Sequence, residues 1–329
     1  MIRGCIRLVL CVVVFLALPQ ETPAPLIYRP GEGWIWEPVG GAKWRRTRAK
    51  EQLEVAQAAF DQKDFKTAMR ASRHGVNTWP MSDYAPNGQY LLARCYEEVG
   101  KDEKAFNTYQ SLLTKYPKVD NYEEVLQRQY AIANRFLAGQ WFKLWGVVPF
   151  FPSMDKTAEM YDKLIKNGPY SDVAPLAQLS IGTAREKQSD YAAAVKAYEK
   201  AADRYHDMEK VVPDALYKAG EAYHKQAKTA DYDQGIAGQS IATFSDFAVL
   251  YPNEPRVPGV QKVVADLKAE QARGSYSIAK FYEKKKKLDA ALIYYNEVLV
   301  KDPTSKYAEE ARQRIESIKQ KKPQQSKEK

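Results

Sequence analysis

An all-α chain, a right-handed superhelical solenoid of about six helical pairs, is what the sequence predicts, and three observations predict it. First, an alanine is followed twelve residues later by a proline three times: Ala68 and Pro80 in AMRASRHGVNTWP, Ala105 and Pro117 in AFNTYQSLLTKYP, Ala291 and Pro303 in ALIYYNEVLVKDP. Second, each of these is preceded by a helix-compatible stretch with small and bulky apolar residues at matching offsets. Ala93, Tyr96 and Gly100 precede Ala105, and Ala279, Tyr282 and Leu288 precede Ala291. Third, no segment shows sustained alternation of apolar and polar residues, so a sheet is not expected.

The pattern is that of the tetratricopeptide repeat. Small residues let paired helices approach, aromatic residues fill the gaps, and a proline stops the second helix. The first pair is LEVAQAAFDQKDFKTA with its partner, carrying Ala56, Ala59 and Phe65. Looser copies follow. Residues 121–170 pair YEEVLQRQYAIANRFLAG with TAEMYDKLIKNGPY across an apolar insertion, and residues 180–206 place Gly182, Tyr191, Ala194 and Tyr198 in register. Residues 214–252 carry Gly220 and Tyr223 and end at Tyr251-Pro252, with an enlarged turn expected over residues 225–237. The repeats are thus expected over residues 47–318. They absorb much of an unusual content of 22 tyrosines, with Tyr96, Tyr109, Tyr198, Tyr223, Tyr282 and Tyr295 at packing positions.

The ends read differently. Residues 1–24 hold Arg3 and Arg7 ahead of eleven apolar residues, LVLCVVVFLAL, a length suited to a signal peptide and too short to span a bilayer. Cys11 sits inside that run without small residues before it, so a lipobox fits poorly. The expectation is export to the periplasm. Residues 25–46 form an aromatic leader with Trp34, Trp36 and Trp44, expected to pack on the first repeat. Residues 319–329 read as a basic disordered tail.

The net charge of +9 suggests nucleic acid at first sight, but much of it lies at the ends. The tail alone carries five lysines against Glu328. A nucleic-acid binder gathers cations on a face of its fold, so no nucleic-acid partner is expected. Three cysteines and three histidines leave no cluster spaced for a metal. No phosphate loop, dinucleotide loop, nucleophile elbow or His-Glu-x-x-His motif occurs. Asp203, His206, Asp207 and Glu209 cluster locally but fit an exposed helix end, and Cys95 fits a buried packing thiol. The expectation is no catalytic residue, no cofactor and no enzyme.

In such arrays the first helices line a groove, and this register puts Gln57, Tyr90, Arg94, Tyr130, Asn134, Thr183, Tyr217, Glu221, Tyr276 and Lys280 there. Tyrosine and arginine suit extended peptide, offering apolar bodies with polar tips. Packing between repeats is the alternative role for each tyrosine. The insertion GQWFKLWGVVPFFPSM carries Trp141, Phe142, Trp145, Phe150 and Phe151, expected to fold back onto a repeat junction, with an exposed docking wedge as the alternative. Lys284–Lys287 is a basic turn, by default solvated.

The C-terminal half resembles the BamD (ComL) family of outer-membrane assembly proteins. That resemblance rests on Asp233 and Gln234 ahead of a helix with Phe244 that ends at Tyr251-Pro252. A long helix follows with Ala279, Phe281 and Tyr282, then a last repeat with Ala291 and Pro303. It implies a non-enzymatic periplasmic scaffold, peripherally associated with the inner face of the outer membrane, that binds an Omp85-type barrel-assembly protein and other assembly components. It also implies contact with unfolded outer-membrane proteins. The other reading is an envelope adaptor for secretin, pilus or cell-wall machinery.

Overall fold

The computed structural model describes residues 26–29, 33–36, 44–144, 148–229 and 234–325. The signal segment at residues 1–24 lies outside them, as do residues 326–329 of the tail. The chain forms two compact units, Met1–Val119 and Asp120–Lys329.

The first unit holds two helical pairs, α1 (Ala49–Asp61) with α2 (Phe65–Thr78), and α3 (Ala85–Glu98) with α4 (Asp102–Lys115). A two-stranded antiparallel ribbon precedes them, β1 (Leu26–Arg29) with β2 (Gly33–Trp36), in the register Leu26 opposite Trp36. The second unit holds α5 (Tyr122–Leu137) and α6 (Met154–Asn167), separated by the ribbon β3 (Phe142–Leu144) and β4 (Val148–Phe151). It continues with α7 (Ala174–Lys187), α8 (Tyr191–Arg204), α9 (Val211–Thr229), α10 (Gln234–Leu250), α11 (Val257–Lys284), α12 (Leu288–Lys301) and a last helix α13 (Lys306–Gln325). Among the described residues, six helical pairs and a final helix form the tetratricopeptide architecture the repeat spacing predicts.

Three details depart from the sequence reading. The two ribbons are the only strand pairing among the described residues, each two strands wide and outside the repeats. Residues 225–229 and 234–237, expected in an enlarged turn, are helical: α9 continues to Thr229 and α10 starts at Gln234. The tail also continues as helix to Gln325, so its first residues extend α13 instead of ending the order at residue 318.

Local chemistry sets the helix ends. Asp64 and Asp190 cap α2 and α8 by accepting the amides of Thr67 and Ala193 at 3.1 and 3.0 Å, and Ser153 caps α6. Pro86, Pro175 and Pro258 stand in the first turns of α3, α7 and α11, where no intrahelical partner for their missing N–H is lost. The turns inside four pairs each contain a residue with positive φ: Lys63, Gly100, Ser189 and Lys286, at 60°, 66°, 61° and 60°. Repeats are also tied across their ends. Tyr116 donates its hydroxyl to the Pro80 carbonyl at 2.8 Å, and Tyr205 donates to the Pro169 carbonyl at 3.4 Å.

The packing inside each pair repeats one rule. A position on the first helix is small and buried: Ala56, Ala93, Ala133, Gly182, Gly220 and Ala279. From the second pair onward an aromatic ring of the second helix is buried against this helix: Tyr109, Tyr161, Tyr198, Phe244 and Tyr295. At Gly182 and Gly220 the ring lies so close that an added Cβ would stand 2.3 Å from Tyr198 Cε1 and 2.6 Å from Phe244 Cδ1. Glycine is required there by close approach, since the ring occupies the space a methyl would need.

Candidate partner-binding site

The ten groove candidates fall on two repeat positions of the first helices. Tyr90, Tyr130, Tyr217 and Tyr276 stand three residues before the small position, where the other two pairs carry Leu53 and Leu179. Gln57, Arg94, Asn134, Thr183, Glu221 and Lys280 stand one residue after it. The two positions are one helical turn apart and share a face. Gln57, Tyr90 and Arg94 belong to the first unit and the other seven to the second.

The structure divides their roles. The tyrosines pack edge-on or tilted against the aromatic of the second helix: Tyr90 on Tyr109 at 6.0 Å, Tyr130 on Tyr161 at 5.9 Å, Tyr217 on Phe244 at 6.1 Å and Tyr276 on Tyr295 at 5.7 Å. Tyr90, Tyr130 and Tyr217 keep part of the ring in solvent. Tyr276 does not: it is 7% exposed, covered by Tyr295 and Tyr307, with its hydroxyl on Glu310. Burial and that carboxylate push its phenol up to about 12. Tyr276 therefore serves as core, the alternative role raised for each tyrosine.

The polar position reports the ring below it. Asn134 Oδ1 accepts the Tyr161 hydroxyl at 2.5 Å, and Thr183 meets the Tyr198 hydroxyl at 3.3 Å. Arg94 donates to Tyr90 at 3.3 Å and lies over the Phe60 ring at 5.4 Å. Glu221 accepts from Tyr217 at 3.1 Å. Lys280 lies over Tyr276 at 5.5 Å and is otherwise exposed. Gln57 is exposed and bonds Asp61 within its own helix at 2.8 Å.

One part of this face is concave. Between α9, α10 and α11 lies a cleft of about 370 Å³ lined by Tyr217, Glu221, His224, Phe244 and Arg256 among others. Arg256 forms its rim. Its guanidinium lies 4.8 Å from the Tyr217 ring centre and 5.5 Å from that of Phe247. It pairs with Asp214 at 2.7 Å and with Glu254, which raises its own pKa and lowers that of Glu254. The arginine is thereby held over the rings and its charge is answered twice. Glu221 is the carboxylate that lines the cleft itself, and Asp214 and Glu254 are engaged by Arg256 at its rim. Burial, then Lys228, lowers the pKa of His224, so its imidazole is neutral at pH 7. Such a cleft offers an aromatic floor and acceptor oxygens, suited to an aromatic or basic side chain on an extended segment.

The insertion divides as well. Phe142 is buried and stacks on Phe136 at 4.2 Å, with Lys156 above it at 5.1 Å. Trp141 and Phe151 are 52% and 41% exposed. Phe142 thus packs back on α5 while Trp141 and Phe151 stay exposed, and the described part of the insertion is a ribbon rather than a loop. Trp145 and the side chain of Phe150 lie outside the described residues. In the leader, Trp44 packs on the first pair, edge-on to His74 at 5.9 Å.

Sequence reading overlooked the glutamines. Gln52, Gln89 and Gln178 stand just before the tyrosine or leucine position, are buried, and donate to the carbonyl nineteen residues on: Ala71 at 3.1 Å, Thr108 at 3.3 Å and Ala197 at 3.1 Å. The recurrence of Gln before Leu53, Tyr90, Tyr130 and Leu179 was the available signal. Gln234, part of the family-like motif, is likewise structural. Its side chain accepts Lys301 at 2.7 Å and its carbonyl accepts Gln271 at 2.9 Å, tying α10 to α11 and α12. Asp233 lies outside the described residues.

Cys95 is fully buried, and burial pushes its thiol up to about 12, far from a nucleophile's range. His206 is exposed at the end of α8, its ring beside the Asp203 carbonyl and Asp207. Among the described residues, no three His, Cys, Asp or Glu side chains are grouped to hold a metal, and no helix is long and apolar enough to cross a membrane.

Residues 153–328 match the YfiO family model, described as outer membrane lipoprotein, and residues 88–118 match a tetratricopeptide-repeat model. No curated protein matches the sequence. Similar solved structures include the C-terminal part of a tetratricopeptide-repeat protein from Cytophaga hutchinsonii, at 15% identity over 81% of this chain and 88% of that one, with a TM-score of 0.38. A tetratricopeptide-repeat protein from Parabacteroides merdae is 13% identical over 82% of this chain and 98% of that one, with a TM-score of 0.34. PilW, a type IV pilus biogenesis factor, is 13% identical over 83% and 99%, with a TM-score of 0.29.

Proposed function

The chain belongs to the YfiO family of outer membrane lipoproteins, and on that premise we propose that it is a non-enzymatic periplasmic scaffold for assembly of outer-membrane β-barrels. It binds an Omp85-type barrel-assembly protein and other assembly components, and it receives extended segments of unfolded outer-membrane proteins along its first helices. The observation that carries this reading is that the family match, residues 153–328, contains the cleft between α9, α10 and α11. Its aromatic floor and the Glu221 carboxylate suit an aromatic or basic side chain of such a segment.

The polar position is the discriminating part of the surface. Thr183, Glu221 and Lys280 present different chemistries at one repeat position, so each repeat adds its own preference. A pull-down from envelope membranes tests the proposal, comparing wild type with Glu221→Lys/Lys280→Glu. Recovery of an Omp85-type protein, diminished in the variant, supports the assembly role. Recovery of only secretin, pilus or cell-wall proteins leaves the fold intact and replaces this function with that of another envelope adaptor.

A further inference from the structure

We infer that the turn between α11 and α12 is a contact site for an anionic phospholipid surface. The inference rests on the envelope setting proposed above and goes beyond it, because nothing in the scaffold role requires this turn. Lys284, Lys285, Lys286 and Lys287 are all exposed there, and Lys280 stands one turn earlier on α11. Among the described residues none of the four turn lysines is held in an ion pair. The nearby carboxylate of Glu283 is already engaged, by the Tyr295 hydroxyl at 2.6 Å and by Arg314 at 3.6 Å.

The basic turn directly follows an aromatic ridge. Phe281 is 55% exposed, edge-on to Tyr282 at 5.5 Å, and Tyr282 stacks on Tyr294 at 5.5 Å with an angle of 7°. Lys285 lies over the Phe281 ring at 5.8 Å. An exposed phenyl ring costs free energy in water that interfacial insertion removes, and lysines beside it meet phosphate oxygens at the same depth. A protein surface would need an apolar pocket for the ring set among carboxylates for the lysines. A bilayer interface answers both.

The test is flotation of the full chain with vesicles of 70% phosphatidylcholine and 30% phosphatidylglycerol, beside vesicles of phosphatidylcholine alone. Wild type is compared with Lys284→Glu/Lys285→Glu/Lys287→Glu and with Phe281→Ser. These positions are exposed, so folding is retained, and circular dichroism verifies it. All chains carry the same apolar N-terminal run, whose contribution the neutral vesicles measure. The phosphatidylglycerol-dependent part of binding is expected to fall at least tenfold in the charge variant, severalfold in Phe281→Ser, and to vanish in high salt. Equal anionic binding by wild type and charge variant overturns the inference. So does unchanged flotation together with lost capture of a protein partner, which makes the turn a protein contact. Loss of flotation with partner capture intact supports it, whatever that partner is.

Discussion

Substituting Gly182 by alanine isolates the packing rule on which the repeats depend. The added Cβ would stand 2.3, 2.6 and 2.6 Å from three carbons of the Tyr198 ring, where carbon atoms normally meet at about 3.5–4.0 Å. The ring edge must therefore retreat by more than about 1 Å, yet it is fully buried and its hydroxyl is engaged by Thr183. Overpacking of this kind costs about 1–3 kcal/mol, and alanine returns about 1 kcal/mol of helix propensity. With so rigid an obstacle, the net loss is about 1–2 kcal/mol. Gly238→Ala in α10 is the control, because the nearest atom is Gln271 Nε2 at an ordinary 3.8 Å. There the propensity gain acts alone and stability rises by up to about 1 kcal/mol. Urea midpoints at unchanged slope measure both. In a Tyr198→Leu background the Gly182→Ala penalty should shrink by about half or more, a coupling that a double-mutant cycle reads directly. Effects of the same sign and size at the two glycines would refute the argument.

Three other perturbations follow from the same structure. Gln52→Ala removes two donations, to Trp44 and Ala71 carbonyls at 3.0 and 3.1 Å, and the acceptor for the Arg46 amide at 2.8 Å. It should cost about 2–4 kcal/mol in denaturant titration and expose Trp44 to a fluorescence quencher. Burial lowers the pKa of His74 and His224 in the folded chain, so it binds fewer protons there than the unfolded chain does. The stability these neutral rings contribute is present above about pH 6.5 and lost as pH falls through that value towards their folded pKa. A His74→Gln/His224→Gln variant should lose less thermal stability than wild type between pH 7.5 and 5.5. Cys95, with its thiol pushed up to about 12 and its side chain buried, should resist iodoacetamide in native buffer and react in urea. Rapid native labelling would mean that α3 opens locally.

The repeat architecture was legible because its constraints are local and periodic. Small residues at Ala56, Ala93, Ala133, Gly182, Gly220 and Ala279 and prolines after the second helices recur at a spacing only paired helices explain. Features outside that period were harder to read. β1 and β2 are four residues each, too short for alternation to register, and the α9–α10 turn was overestimated because its polar helix ends carry no apolar stripe. At the candidate site, the sequence register groups the ten residues on one helix face but does not separate core from surface along it. Tyr276 and Tyr217 occupy one repeat position. Only the neighbouring repeat decides their exposure: Tyr307 closes over the first, while Arg256 leaves the second at the rim of a cleft. The buried glutamines carry no apolar signal in the sequence, and each is retained by a carbonyl that a helix interior leaves able to accept a second bond.

The central claim is that the first-helix face holds components of barrel assembly. Photo-crosslinking groups placed singly at Thr183, Glu221 and Lys280, with exposed Val300 on α12 as the control position, test it most directly in intact envelope membranes. The account predicts adducts with an Omp85-type protein or with unfolded outer-membrane proteins from the three face positions and little from Val300. Adducts confined to secretin, pilus or cell-wall components, or equal yields from Val300, would contradict it.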